Sequence, residues 1–133
     1  RRRRLWTPEE PWLHGVVVYL YTRNGTEPLE RVDAVRSYVG LRAVRVVRGA
    51  DGVARIHLNG RPRFFAGVLD QGYWPDGLYT APSDEALASD IVTAKALGFN
   101  LLRKHGKVEP ARWYYHADRL GMRVCGAYPL LVC

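Results

Sequence analysis

The chain has 133 residues, 47% hydrophobic and 25% charged, with a formal net charge of +7. That is the balance of an ordinary globular protein, and the length allows about one domain. Arg1–Arg4 supply four of the positive charges, but no apolar core with a small-residue cleavage site follows them, so they are not a secretory signal.

In chain order, Leu5–Leu13 (LWTPEEPWL) reads as a loop anchored on a sheet by its two tryptophans. Gly15–Thr22 is a β-branched and aromatic strand, and its apolar part, Val16–Tyr21, is far too short to span a membrane. Asn24-Gly25 is a hairpin signal. Leu29–Val39, Leu41–Val47 and Val53–Leu58 read as further strands, with Gly49–Gly52 a turn. Asn59-Gly60 is a second tight turn. Residues 1–48 therefore read as consecutive antiparallel strands, as in a sandwich.

From Phe64 the pattern changes. Phe64–Leu69, Phe99–Arg103 and Met122–Cys125 are short apolar runs bounded by turn residues, hence strands. Between them lie two helix-period segments. Ser83 is placed to cap the first, with Asp84 and Glu85 in its first turn and Gly98 at its end. Pro110 fits the first turn of the second, and Gly121 ends it. The order β-α-β-α-β predicts parallel strands. In parallel α/β architectures chemistry sits at the C-terminal strand ends. Here those ends are Asp70–Asp76, Arg103–Lys107 and Cys125–Tyr128, rich in acids, bases and flat aromatic rings. Such a surface suits a small polar ligand such as a sugar.

Neither half is complete by its own logic. A sandwich needs about seven strands, and a (β/α)8 barrel roughly 250 residues. The expectation is a piece cut across a domain junction.

Several stretches resemble glycoside hydrolase family 2, whose members include β-galactosidases, β-glucuronidases and β-mannosidases. DAVRSYVGLR (33–42) looks like the close of that family's immunoglobulin-like sandwich, and IHLNGRPRFFAGV (56–68) like the hairpin entering its barrel. Asn100-Leu-Leu-Arg103, Trp113-Tyr114, Asp118 and Gly121 match the family's barrel signature spacing, and DQGYWPDGLYTAPSDEAL is a variant of its first βα loop. The resemblance implies a mixed fold. Residues 1–50 would be the C-terminal part of an immunoglobulin-like β-sandwich, and residues 51–133 the N-terminal part of a TIM barrel. It also implies a parent activity, retaining hydrolysis of β-glycosides. The family's acid/base and nucleophile glutamates come from later strands, so no catalytic residue is expected here and the chain alone should be inactive. There are departures. Gly106, Lys107 and Val108 stand where the family often has His-Tyr-Pro, Ala66 where it often has arginine, and no acid follows Val124.

The substrate-side candidates are Asp70, Trp74, Arg103, His105 and Lys107. Arg103 matches the family's arginine, and its fork of donors suits a carboxylate or sugar oxygens; a salt bridge at the barrel top is the alternative. Trp74 offers a flat face to a pyranose, or packs beside Pro75. His105 and Lys107 qualify by position alone. Asp70 and Glu109 form a candidate carboxylate pair, against which Glu109 reads as a helix N-terminal charge and Asp76 as a turn residue. Asn100 starts its strand and reads as a partner for backbone groups. The four histidines have no metal-ligand spacing, and no metal or cofactor is expected. The expected partner is a carbohydrate, with neither nucleic acid nor membrane. With no signal peptide, the expected location is cytoplasmic. Cys125 and Cys133 form no CxxC and read as ordinary buried thiols. Two rivals stand beside this reading: a non-catalytic carbohydrate-binding or interaction module, and a nucleic-acid binder driven by Arg1–Arg4, disfavoured because the other basic residues are scattered.

Overall fold

The computed structural model describes residues 3–26 and 28–126. The first apolar runs form strands β1 (His14–Thr22) and β2 (Glu30–Val39), an antiparallel ribbon with His14 opposite Val39 and Val18 opposite Val35. The register shifts once, between Leu20 and Tyr21. Val16, Val18, Leu20 and Val35 share one face of the ribbon. Of these, Val18, Leu20 and Val35 remain more than half exposed.

The next strands, β3 (Val44–Arg48), β4 (Ala54–Leu58) and β5 (Arg61–Pro62), make a separate antiparallel sheet in that order. The sequence pattern put β3 in line with β1 and β2, but it pairs with β4 instead. Asn59 explains the choice. Its backbone N–H donates to the Ala43 carbonyl, and its side-chain oxygen accepts from the Ala43 N–H, which lays the start of β3 against the end of β4. Asn59 and Gly60, at φ 52° and 80°, close the β4–β5 hairpin as a two-residue turn, as their sequence predicts.

Three parallel strands follow: β6 (Gly67–Asp70), β7 (Leu101–Lys104) and β8 (Arg123–Gly126), joined by helices α1 (Asp84–Ala96) and α2 (Ala111–Leu120). The local signals act as expected at most ends. Ser83 Oγ accepts from the Ala86 N–H at the start of α1. Gly121 caps α2 in the left-handed region. Pro110, expected inside the first turn of α2, is instead its N-cap, an extended residue with no side-chain bond to give. The core lies between the helices and one sheet face, where Ile91, Ala94, Leu102, Trp113, Ala117 and Met122 pack together. At the rim of the same helix pair, the Asp84 carboxylate accepts from Arg112 Nε and Nη2 at 2.7 and 2.8 Å and from His116 Nε2 at 2.8 Å. Arg112, and then His116, hold its carboxyl well below the usual carboxylate range.

The N-terminal segment ties these parts together. Trp6 is fully buried; its indole N–H donates to the Asp118 carbonyl at 2.7 Å, and its backbone N–H to the Leu41 carbonyl. Tyr38 and Arg42 donate to the Asp118 carboxylate at 3.0 and 3.3 Å. Lys95 Nζ donates to the Pro8 carbonyl at 2.9 Å. Of the two tryptophans expected to anchor this segment, Trp6 does so; Trp12 is exposed, under the Arg4 guanidinium at 4.3 Å. These contacts gather where α2 ends and β8 begins, so they leave the C-terminal strand ends uncovered. Among the described residues no helix is long and apolar enough to cross a membrane. Cys125 does not stand as a free thiol, which corrects that reading for it. Cys133 lies outside the described residues, as do Arg1 and Arg2.

Candidate site at the C-terminal strand ends

Strand alternation divides the candidates between two faces of the parallel sheet. Val68 and Asp70 on β6, and Leu102 and Lys104 on β7, share the face that meets the helices, as the packing of Val68 and Leu102 into the core shows. Leu69 and Arg103 share the other face, where Leu69 is 54% exposed.

On the helix side the chemistry is closed. Lys104 is only 2% exposed. Its ammonium donates to Asp70 Oδ2 at 2.7 Å and to Glu109 Oε1 at 2.6 Å, and lies 4.5 Å from the centre of the Trp113 ring. Lys107 pairs with Glu109 Oε2 at 3.2 Å and donates to the carbonyls of Gly72 and Tyr79 at 2.8 and 2.7 Å. Asp70 Oδ1 accepts the Gly72 N–H at 2.8 Å. Two positive and two negative groups thus neutralise one another out of water, the condition under which buried charges are tolerated. Nearby on α1, burial pushes the Asp90 carboxyl up, and the Asp70 charge adds to the shift. Gly72 belongs to the same knot. At φ 62° it has no room for a side chain, because a Cβ there would meet the Glu109 carboxylate and come within 2.8 Å of Lys107 Nζ.

The close carboxylate pair considered from the sequence therefore exists. Asp70 and Glu109 each bond the same ammonium, so their oxygens are no farther apart than two hydrogen bonds laid end to end, about the spacing a retaining glycosidase uses. Spacing does not decide the matter. A nucleophile or acid must reach substrate, and these oxygens are taken up by Lys104, Lys107 and the Gly72 N–H.

The remaining candidates are less tightly held. Arg103 is exposed, and its side chain has no hydrogen bond or ion pair among the described residues. His105 is exposed, and its Nδ1 accepts from Gln71 Nε2 at 2.8 Å, which joins the loops after β6 and β7. Trp74 is half-buried and pairs with Leu78 through both backbone groups, closing the Pro75-Asp76-Gly77 turn. Of the five candidates, Asp70 and Lys107 are thus engaged in holding the first loop, Arg103 and His105 are exposed, and Trp74 is half-buried. Asn100 donates from Nδ2 to the Phe64 carbonyl at 3.1 Å, a backbone partner. Sequence reasoning missed Lys104, the centre of the knot. The available signal was period-two alternation, which puts Lys104 on the Leu102 side and Arg103 on the other.

No family model matches the chain. It is 31% identical over 125 residues to a β-galactosidase of Vibrio vulnificus, an alignment that takes in 94% of this chain and 11% of that enzyme. The chain thus spans about a tenth of that relative's length. Among solved structures, a β-glucuronidase from Ruminococcus gnavus superposes with a TM-score of 0.78 at 24% identity, over 96% of this chain and 20% of that one. A glycosyl hydrolase family 2 member from Bacteroides cellulosilyticus superposes with a TM-score of 0.76 at 26% identity, over 92% of this chain and 14% of that one. The resemblance read from the motifs and these relatives agree: the chain is a segment of the glycoside hydrolase family 2 type.

Proposed function

We propose that this segment belongs to a retaining β-glycosidase, in which it supplies part of the substrate-side wall and not the catalytic carboxylates. In this reading the β1–β2 ribbon is the end of an immunoglobulin-like sandwich, and the β-α-β-α-β unit is the start of a TIM barrel. The β3–β5 sheet straddles the division expected at residues 50 and 51, which moves the proposed division to the Gly40–Ala43 connection. Arg103, His105 and Trp74 are the groups placed to meet a glycoside, with Asp70 and Lys107 holding the loop that carries Trp74.

The observation that carries this is the exposed Arg103, without a hydrogen bond or ion pair among the described residues, on the sheet face turned away from the helices. An exposed guanidinium at a strand end in a parallel α/β unit is suited to a ligand. The test is NMR of the 133-residue chain titrated with methyl β-D-galactopyranoside. Saturable shifts at the Arg103 side chain and His105 ring are expected. Shifts confined to the β1–β2 ribbon would favour a binding module of the sandwich type and contradict the assignment.

A further inference from the structure

Tyr73 and Tyr79 make a feature that the five candidates do not include. Both lie on the loop after β6, and their rings are 4.8 Å apart, tilted by 44°. Their hydroxyls are hydrogen-bonded at 2.7 Å. Yet the residues are 60% and 52% exposed, so the pair shields little of the structure beneath it. The backbone carrying them is fixed independently of the rings. Lys107 Nζ holds the Tyr79 carbonyl, Asp70 holds the Gly72 N–H, and Trp74 pairs with Leu78 between the two tyrosines. A buried, charge-neutral knot thus positions two tyrosine rings that stay more than half exposed, with the Lys107 ammonium 5.5 Å from the centre of the Tyr79 ring.

We infer that Tyr73 and Tyr79 form a stacking subsite for a pyranose ring of a β-linked glycoside, beside the wall assigned to Arg103, His105 and Trp74. This rests on the proposed glycosidase reading. The chemistry fits a sugar. The faces of equatorially substituted pyranoses are C–H-rich and pack on aromatic rings. When one tyrosine hydroxyl donates to the other, one O–H donor and several lone pairs remain for sugar hydroxyls. Lys107 is committed to two carbonyls and Glu109, so the subsite offers no free ammonium and suits a neutral ring rather than a uronate.

The test uses the 133-residue chain with ring-labelled tyrosine, titrated with cellotetraose and followed by NMR. The Tyr73 and Tyr79 rings are expected to shift together and saturate. Tyr79→Ala should weaken binding about fivefold, because Lys107 still holds that residue's carbonyl. Tyr73→Ala gives a second reading should the first variant lose its fold. Tyr73→Phe, which keeps the ring, should bind nearly as well as the parent. Shifts at Arg103 and His105 with still tyrosine rings would overturn the subsite and leave the glycosidase reading standing. Unchanged affinity in a folded Tyr79→Ala chain would also overturn it. No shift at any residue would count against both.

Discussion

Lys104 decides how the acids at the strand ends are to be understood. A lone lysine with 2% exposure is tolerated because two carboxylates and an aromatic face meet it. Removing it leaves Asp70 without its ammonium partner and Glu109 with Lys107 alone. Lys104→Met should destabilise the chain by about 3 kcal/mol in urea unfolding, the usual cost of stranding one side of a buried pair. Adding Asp70→Asn and Glu109→Gln should restore much of that loss, since the penalty is uncompensated charge rather than lost volume. If the triple variant were no more stable than Lys104→Met, the knot would not be electrostatic. The sequence could show that Lys104 and Arg103 face opposite sides of a strand, but not which side the helices cover. A reading by position therefore grouped Asp70 and Lys107 with Arg103, although their side chains serve the loop from behind.

At the scale of elements, α1 and α2 meet through Asp84, Arg112 and His116 as well as through the core. Arg119 Nε donates to His116 Nδ1 at 2.8 Å, and His116 Nε2 lies 2.8 Å from Asp84 Oδ1. The Asp84 carboxyl is held below its ordinary value. A depressed carboxylate contributes stability that is fully present above its unfolded pKa, about 3.9, and is lost as pH falls through the lower folded value. Thermal unfolding should therefore show an acid-side loss below about pH 4. Asp84→Asn should flatten that limb while lowering stability at neutral pH; an identical acid limb in the variant would place the titration elsewhere. The helices themselves were legible because their ends carry chemistry of their own: Ser83 as cap, Gly98 and Gly121 in left-handed turns. The partner of β3 was not legible. Nothing in a run of valines says which neighbour it joins, and the choice falls to Asn59, whose side chain acts across 16 residues.

For the whole molecule, the two sheets that bear on function each leave a face open. The ribbon shows Val18, Leu20 and Val35 to solvent, and the parallel sheet shows Leu69 and Arg103. Apolar strand faces of this kind are ordinarily covered by further strands or helices, in keeping with a chain that matches only a tenth to a fifth of its relatives' lengths. The family was legible because Asn100, Arg103, Trp113, Tyr114, Asp118 and Gly121 keep their spacing. The electrostatic knot was not, because it depends on loops meeting in three dimensions. The central claim is that the close carboxylate pair in this chain is structural, clamped by Lys104 and unable to act on a glycoside. It is tested most directly by the initial rate at which the purified 133-residue chain hydrolyses 4-nitrophenyl β-D-galactopyranoside. The expected rate equals that of the protein-free blank, for the parent chain and for Glu109→Gln alike. Turnover above the blank that disappears in Glu109→Gln would contradict the claim.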